Sequence, residues 1–277
     1  MCTLRQICLP QDRLLMLLRL MLQKKIELQQ QEQLMSDSDQ VVRTAASPIE
    51  VLGGFLRSSV GAKVVMGLTG LGLWGFVLTH MLGNLQIFQG ADAINSYGAF
   101  LQGSLHGAGV WILRSGMIVM TVCHIFFGVR LAALNKAARP VEYKMKKDMR
   151  TSPMARTMTW SGLIILAFIV FHLLHFTTGN VLPNLFNVHE TVDGTERHDV
   201  FKMVVAAFHI PWVVAVYVVG QGVLLSHLVH GTASLWQSLG ISHRVWSPAL
   251  VVMGRAAAVV IFAGNIGIPL AILLFWK

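Results

Sequence analysis

Five long apolar runs alternate with polar connections along the 277-residue chain. They extend from about Val64 to Phe88, Gly107 to Leu134, Trp160 to Thr178, Met203 to Val229 and Ala249 to Trp276. Each meets the length of about 20 residues that a helix needs to cross a hydrocarbon core of about 30 Å. The glycines and aromatic residues scattered through them are tolerated in membrane helices. The pattern predicts an all-α integral membrane protein, a bundle of five transmembrane helices. Pro211 and Pro269 are expected to kink their helices rather than end them, because neighbouring helices can satisfy the freed carbonyls.

Residues 1–58 do not share this pattern. A Gln-rich run from Gln29 to Gln33 and a polar stretch from Ser36 to Arg43 predict a cytoplasmic N-terminal extension, poorly ordered or loosely helical, ahead of a membrane domain over 59–277. The apolar patch Leu14 to Leu22 is interrupted by Arg19 and lacks a small-residue cleavage site, which argues against a secretory signal. It reads as an amphipathic surface helix, or as upstream sequence if translation starts at Met35.

Composition agrees with the membrane reading: 54% of residues are hydrophobic and 13% charged, against about 25% charged in ordinary soluble domains. Disordered, collagen-like and disulfide-stapled classes are excluded. Cys2, Cys8 and Cys123 form no CxxC or CxxCH pattern, which argues against thiolate metal sites and covalently attached c-type haem. The net charge of +9 does not indicate nucleic acid, because the basic residues sit between membrane spans.

Short cytoplasmic loops are enriched in Lys and Arg. The second connection carries Lys136, Arg139, Lys144, Lys146, Lys147, Arg150 and Arg156, whereas the first has no Lys or Arg between Asn84 and Gly109. Arg43, Arg57 and Lys63 precede the first span. The N-terminus is therefore expected in the cytoplasm and the C-terminus outside. The Gly179 to Lys202 loop, with Glu190, Asp193, Glu196 and Asp199, is then external.

None of the 13 acidic residues falls inside the five runs, but His80, His124, His172, His175, His209, His227 and His230 lie in or at the ends of them. Ionisable groups at membrane depth face the bundle interior and mark sites. The alternative for any single one is a neutral imidazole bonded to a backbone carbonyl. His80 follows Lys63 by 17 residues and His172 follows Arg156 by 16, which at about 1.5 Å per residue puts both roughly 25 Å towards the outside. His124, shortly before Arg130, and His230, late in the fourth span, match each other on the inner side. Two imidazoles from facing helices at each of two depths is the arrangement that two stacked b-type haems require. Spacing alone leaves open His172 against His175 and His230 against His227. A proton or ion transporter would place carboxylates in its path.

Among the remaining candidates, Arg114 in the outer half of the second span is suited to a propionate of the outer haem or to snorkelling. Arg130 and Arg255 have the same two options at the inner end. His106 is placed to reach a propionate or quinone, and His209 reads as structural or interfacial. His189, His198 and His243 read as loop residues.

The motifs resemble a family, the dihaem cytochrome b membrane anchor of succinate dehydrogenase and fumarate reductase. The likeness covers about residues 55–276. It is carried by Ser58-Ser59-Val60-Gly61-Ala62-Lys63 with Met66-Gly67-Leu68-Thr69-Gly70, and by His80-Met81-Leu82-Gly83-Asn84-Leu85. It continues through Asn95-Ser96-Tyr97, Trp111-Ile112-Leu113-Arg114 and Cys123-His124-Ile125-Phe126-Phe127-Gly128. Ser161-Gly162 leading to Phe171-His172, and His230-Gly231 with Ser234, Trp236 and Leu239-Gly240, complete it.

The resemblance implies that His80 and His172 hold a distal haem b and that His124 and His230 hold a proximal one. It favours His172 over His175 and His230 over His227. It further implies a subunit that is itself non-catalytic towards succinate. This anchor would bind flavoprotein and iron–sulfur subunits on the cytoplasmic side of the bacterial inner membrane, and pass electrons between the iron–sulfur partner and menaquinone or another quinone. Such an anchor belongs to electron transport linked to the tricarboxylic acid cycle. The quinone reaction would take place on this subunit, where Tyr97, Gln102, His106 and Arg114 are the candidates. The alternatives are a cytochrome b subunit of a hydrogenase, formate dehydrogenase or nitrate reductase, or a haem-free transporter.

Overall fold

The computed structural model describes residues 11–44, 47–138, 153–241 and 243–276. The basic stretch from Arg139 to Arg150 lies outside them. Residues 1–55 and 56–277 form two compact units.

In the first unit, α1 (Gln11–Thr44) is one helix of 34 residues. The next helix, α2 (Pro48–Arg57), opens with a capping box: the Glu50 N–H donates to Ser47 Oγ (3.2 Å) and the Ser47 N–H donates to Glu50 Oε2 (2.7 Å). The bonds from the Ser47 N–H and hydroxyl hold the Glu50 carboxyl below the usual carboxylate range.

The second unit takes in the last two residues of α2 and continues with α3 (Ser59–Asn84), whose N-cap Ser58 accepts from the Gly61 N–H at 2.9 Å. After a 3₁₀ turn over Leu85–Gln89 come α4 (Ala91–Gly103), a second 3₁₀ turn over Ser104–Gly107, and α5 (Ala108–Ala137). Then follow α6 (Pro153–Arg156), α7 (Met158–Phe176), α8 (Pro183–Phe186), β1 (His189–Val192), β2 (Thr195–His198), α9 (Val200–Phe208), α10 (Pro211–Ser238) and α11 (Trp246–Phe275). Helices α3, α5, α7, α10 and α11 carry the segments long and apolar enough to cross a membrane. The expected all-helical membrane bundle is therefore present. One face of α5, through Trp111, Ile118, Val122, Phe126 and Val129, is exposed; at i, i+7, i+11, i+15 and i+18 it is a lipid-facing stripe.

The fourth span needs a correction. It starts at Pro211 rather than Met203, and Pro211 begins α10 instead of kinking a longer helix. Ile210 is extended (φ −92°, ψ 111°) because the residue before a proline is driven out of the helical region. Pro211 itself sits at the first helical position, where its missing N–H costs nothing. The preceding residues form the separate α9. Pro269, in contrast, is inside a continuous α11.

The first and third connections fold over one end of the bundle. Asp193 (φ 49°) and Gly194 (φ 74°) are the two central residues of a tight hairpin that pairs Val192 with Thr195 and His189 with His198. Positive φ at both positions is the type I′ geometry that Asp-Gly favours. Arg197 on β2 donates to Glu190 Oε1 (2.6 Å), Ser96 Oγ (2.8 Å) and Asp92 Oδ1 (2.8 Å). These bonds, Asp92 first, raise its proton affinity further. Asn95, fully buried, donates to Glu190 Oε1 (2.8 Å) and Asp199 Oδ1 (3.0 Å) and accepts from the Phe201 N–H (2.9 Å). Asp199 also caps α9 through the Lys202 N–H. Beneath this polar layer lies the apolar core of Ile87, Ile94, Phe208, Val213, Val214, Tyr217, Ile268 and Ile272.

Within the bundle, glycines set the closest helix approaches. A Cβ on Gly220 of α10 would come 2.4 Å from the Phe168 ring of α7, while one on Gly222 would meet nothing within 4 Å. Gly220→Leu should therefore destabilise by about 1–3 kcal/mol through overpacking, and Gly222→Leu should be near neutral. Thermal melting of the detergent-solubilised proteins distinguishes them. Asn95→Ala leaves the Phe201 N–H and two carboxylates short of a partner, at about 1–3 kcal/mol. It should lower the melting temperature and speed proteolysis within 186–199, and unchanged cleavage would refute a role for Asn95 in holding the hairpin.

Candidate functional site

The histidines meet in two pairs, each bridging helices that are far apart in sequence. His80 of α3 faces His172 of α7, with ring centres 5.8 Å apart and planes at 86°. His124 of α5 faces His227 of α10, with ring centres 6.4 Å apart and planes at 63°. The levels of the pairs are fixed independently on three helices. On α3, Thr69 touches His124 and His80 lies 11 residues further on; on α7, Ser161 touches His227 and His172 lies 11 further on. On α10, Tyr217 touches His172 and His227 lies 10 further on. At about 1.5 Å per residue all three give a separation of roughly 15–17 Å between levels.

A hydroxyl group on a neighbouring helix anchors Nδ1 of each imidazole of the His124–His227 pair. Thr69 donates its single proton to the Val65 carbonyl (2.7 Å), so its oxygen accepts from His124 Nδ1 at 3.2 Å. Ser161 donates to the Met158 carbonyl (3.0 Å) and accepts from His227 Nδ1 at 3.0 Å. With the hydroxyl protons on those carbonyls, each ring is a neutral Nδ1–H tautomer whose Nε2 keeps a lone pair. Neither Nε2 has a hydrogen-bond partner among the described residues. Close approach of the backbone makes room for these rings: a Cβ on Gly70 would come 3.2 Å from His124 Cε1, and one on Gly162 would come 3.7 Å from His227 Cε1.

The second pair is held differently. His172 Nδ1 lies 3.2 Å from the Tyr217 hydroxyl, and the same oxygen lies 3.1 Å from Nδ1 of the buried His175. His80 is stacked on Phe76 (5.3 Å), and its Nε2 lies 3.1 Å from Asn84 Nδ2. Two buried indole N–H groups, Trp74 Nε1 and Trp236 Nε1, have no hydrogen-bond partner. Trp74 is four residues past Gly70 and six before His80, between the two levels.

The other expected residues are placed as follows. His230, one turn beyond His227, makes no hydrogen bond or ring contact among the described residues. The ring that meets His124 is His227, not the His230 favoured by the resemblance. Arg114 is exposed, its guanidinium carbon 5.2 Å from the Trp111 ring centre. His106 is exposed in the turn before α5, at φ 54°. Tyr97 packs on α3, where a Cβ on Gly83 would come 2.6 Å from its ring. Gln102 lines an open surface cavity of about 420 Å³ with His189, Arg197 and His198. Arg130 donates to the Leu56 and Arg57 carbonyls, satisfying the open C-terminal end of α2. Arg255 is exposed. His209 lies between the Val205 (2.8 Å) and Trp276 (2.7 Å) carbonyls, in keeping with a structural role.

The sequence motifs include Thr69 and Ser161 without marking either as a site residue, and they leave out Tyr217. Tyr217 had a signal: of three tyrosines it is the one inside the five apolar runs. Among the described residues no group of three or more His, Cys, Asp or Glu gathers as a metal cage. What the arrangement offers is two separated pairs of imidazoles. Compared with family models, curated proteins and solved structures, the chain matches none.

Proposed function

We propose that this chain is the dihaem cytochrome b membrane anchor of a succinate:quinone oxidoreductase, of the succinate dehydrogenase and fumarate reductase type. One observation carries the reading: two facing histidine pairs on four membrane-length helices, one of them with both Nε2 lone pairs unclaimed by protein. Two imidazoles on one first-row metal at about 2.0–2.1 Å, with about 1.1 Å from nitrogen to ring centre, have centres just over about 6 Å apart. The ring spacings of 5.8 and 6.4 Å bracket that value. The unpartnered indoles of Trp74 and Trp236 also fit a bundle that encloses a group with acceptor atoms, since a buried donor without a partner is costly.

Were b-type haem held by these imidazoles, it would supply one-electron transfer. The chain's part is to hold neutral ring nitrogens at two levels roughly 15–17 Å apart and to fix each tautomer through Nδ1. Hydrogen bonding at the second ring nitrogen orients a metal-bound imidazole and raises its basicity. In this reading His80 and His172 serve the outer haem, and His124 serves the inner. The motif likeness puts the fourth ligand at His230; the ring contact, the Ser161 bond and the common interlevel spacing support His227. The basic end of the bundle faces the cytoplasm, where flavoprotein and iron–sulfur partners dock, and the hairpin end faces outward. Electrons pass to or from a quinone, menaquinone in the first instance.

A pyridine haemochrome assay on the purified protein should give two haems b per chain. His124→Ala should remove one and His80→Ala or His172→Ala the other. His227→Ala should cost the inner haem while His230→Ala keeps it, and the reverse outcome would return the ligand to His230. Retention of both haems after His124→Ala would overturn the inner site altogether. Co-purification of a covalent-flavin protein with succinate–quinone activity tests the assembly; a molybdenum or nickel partner would point to another membrane oxidoreductase.

A further inference from the structure

The Tyr217 hydroxyl is shared by two imidazoles, at 3.2 Å from His172 Nδ1 and 3.1 Å from His175 Nδ1. A phenol has one proton, so it donates to one ring and accepts from the other. Unlike Thr69 and Ser161, Tyr217 has no hydrogen bond to a backbone carbonyl among the described residues. Its position is tightly determined. Tyr217 is 6% exposed and His175 3% exposed. Phe168 and Phe208 pack edge-on against the phenol ring at 5.4 and 5.0 Å, and Phe176 stacks on His175 at 4.0 Å.

We propose that Tyr217 is a positioning residue that sets the reduction potential of the outer haem, with His175 as the acceptor that completes its hydrogen bonding. The proposal rests on the dihaem reading given above. A His172 that presents its Nε2 lone pair to a metal carries its hydrogen on Nδ1 and is the donor of that bond. The Tyr217 oxygen therefore accepts, and its own proton has one destination, His175 Nδ1. His175 is then the Nε2–H tautomer. The chain has a single arrangement, His172 Nδ1–H to Tyr217 Oη and Tyr217 O–H to His175 Nδ1, and each bond polarises the next.

A ring whose N–H is held by an acceptor is the more basic ligand and favours the oxidised, more positive iron. Tyr217 therefore holds the outer haem at a lower potential than an unsupported His172 would. His175 strengthens the effect by drawing on the phenol proton. This also gives a role to the second histidine of α7, which the axial site does not use.

The test uses the purified, haem-loaded full chain, with haem count, optical redox titration and the low-spin EPR signal as readouts. The outer haem is assigned by comparison with His124→Ala, which retains only that one. Tyr217→Phe should keep both haems, move the outer midpoint upward and shift its EPR signal, with the inner haem unchanged. His175→Leu, which leaves the phenol oxygen in place, should move the outer midpoint the same way by less, and it carries the test if Tyr217→Phe does not accumulate. An unchanged or lowered outer midpoint in haem-replete variants overturns the proposal. A wild-type protein without any b-type spectrum overturns the dihaem reading instead, so the two failures are distinct.

Discussion

A neutral imidazole among apolar helices brings one hydrogen and one lone pair, and with water excluded each needs a destination in the protein or in something the protein holds. The bundle answers the first requirement three times with a hydroxyl on a different helix. Thr69 of α3 takes the hydrogen of His124 on α5, Ser161 of α7 takes that of His227 on α10, and Tyr217 of α10 meets His172 on α7. A typical intramolecular hydrogen bond contributes only about 0.5–1.5 kcal/mol net. These bonds matter more for register, since each ties two helices at one height. The lone pairs of His124 and His227 are left over, and they are what make the pair a candidate site.

Packing supports the same register. Glycines let the helices come close where rings must meet: Gly70 against His124, Gly162 against His227, and Gly220 against Phe168, which packs on Tyr217. The apolar core is concentrated near the hairpin end, around Ile87, Phe208, Val213, Tyr217 and Ile272. Above it, Arg197 and the buried Asn95 bind three acidic residues from the first and third connections. The His80–His172 pair thus lies on the side of the bundle nearer this polar layer, while α5 turns its large apolar side chains outward.

Much of this is legible in the sequence, and the reasons for the remainder are physical. Length and hydropathy suffice for five helices because a membrane demands about 20 apolar residues whatever the tertiary contacts. They do not locate a boundary such as Ile210 to Pro211, where both sides are equally apolar and only the proline's effect on its predecessor separates α9 from α10. The Asp193-Gly194 signal for the hairpin was present. The partners of Arg197, 105 residues away at Asp92, were not readable without the fold. Depth arithmetic matches His80 with His172 because both are counted from a basic helix end. It resolves about one helical turn, roughly 5.4 Å, and His227 and His230 differ by less.

The difference between those two histidines follows from the common level spacing. On α3 and α7 the two levels are 11 residues apart, and on α10 the step from Tyr217 to His227 is 10, whereas a step to His230 would be 13. At about 1.5 Å per residue the latter would set His230 roughly 3 Å deeper than the level common to α3 and α7, so that α10 would have to slide to match. Sliding α10 by that amount would strain the Ser161 and Tyr217 bonds and move Gly220 off Phe168. The hydroxyls, the glycine contact and the ring pairing are therefore one constraint seen in three places. It is met with His227 facing His124 and with no Asp or Glu in α3, α5, α7, α10 or α11.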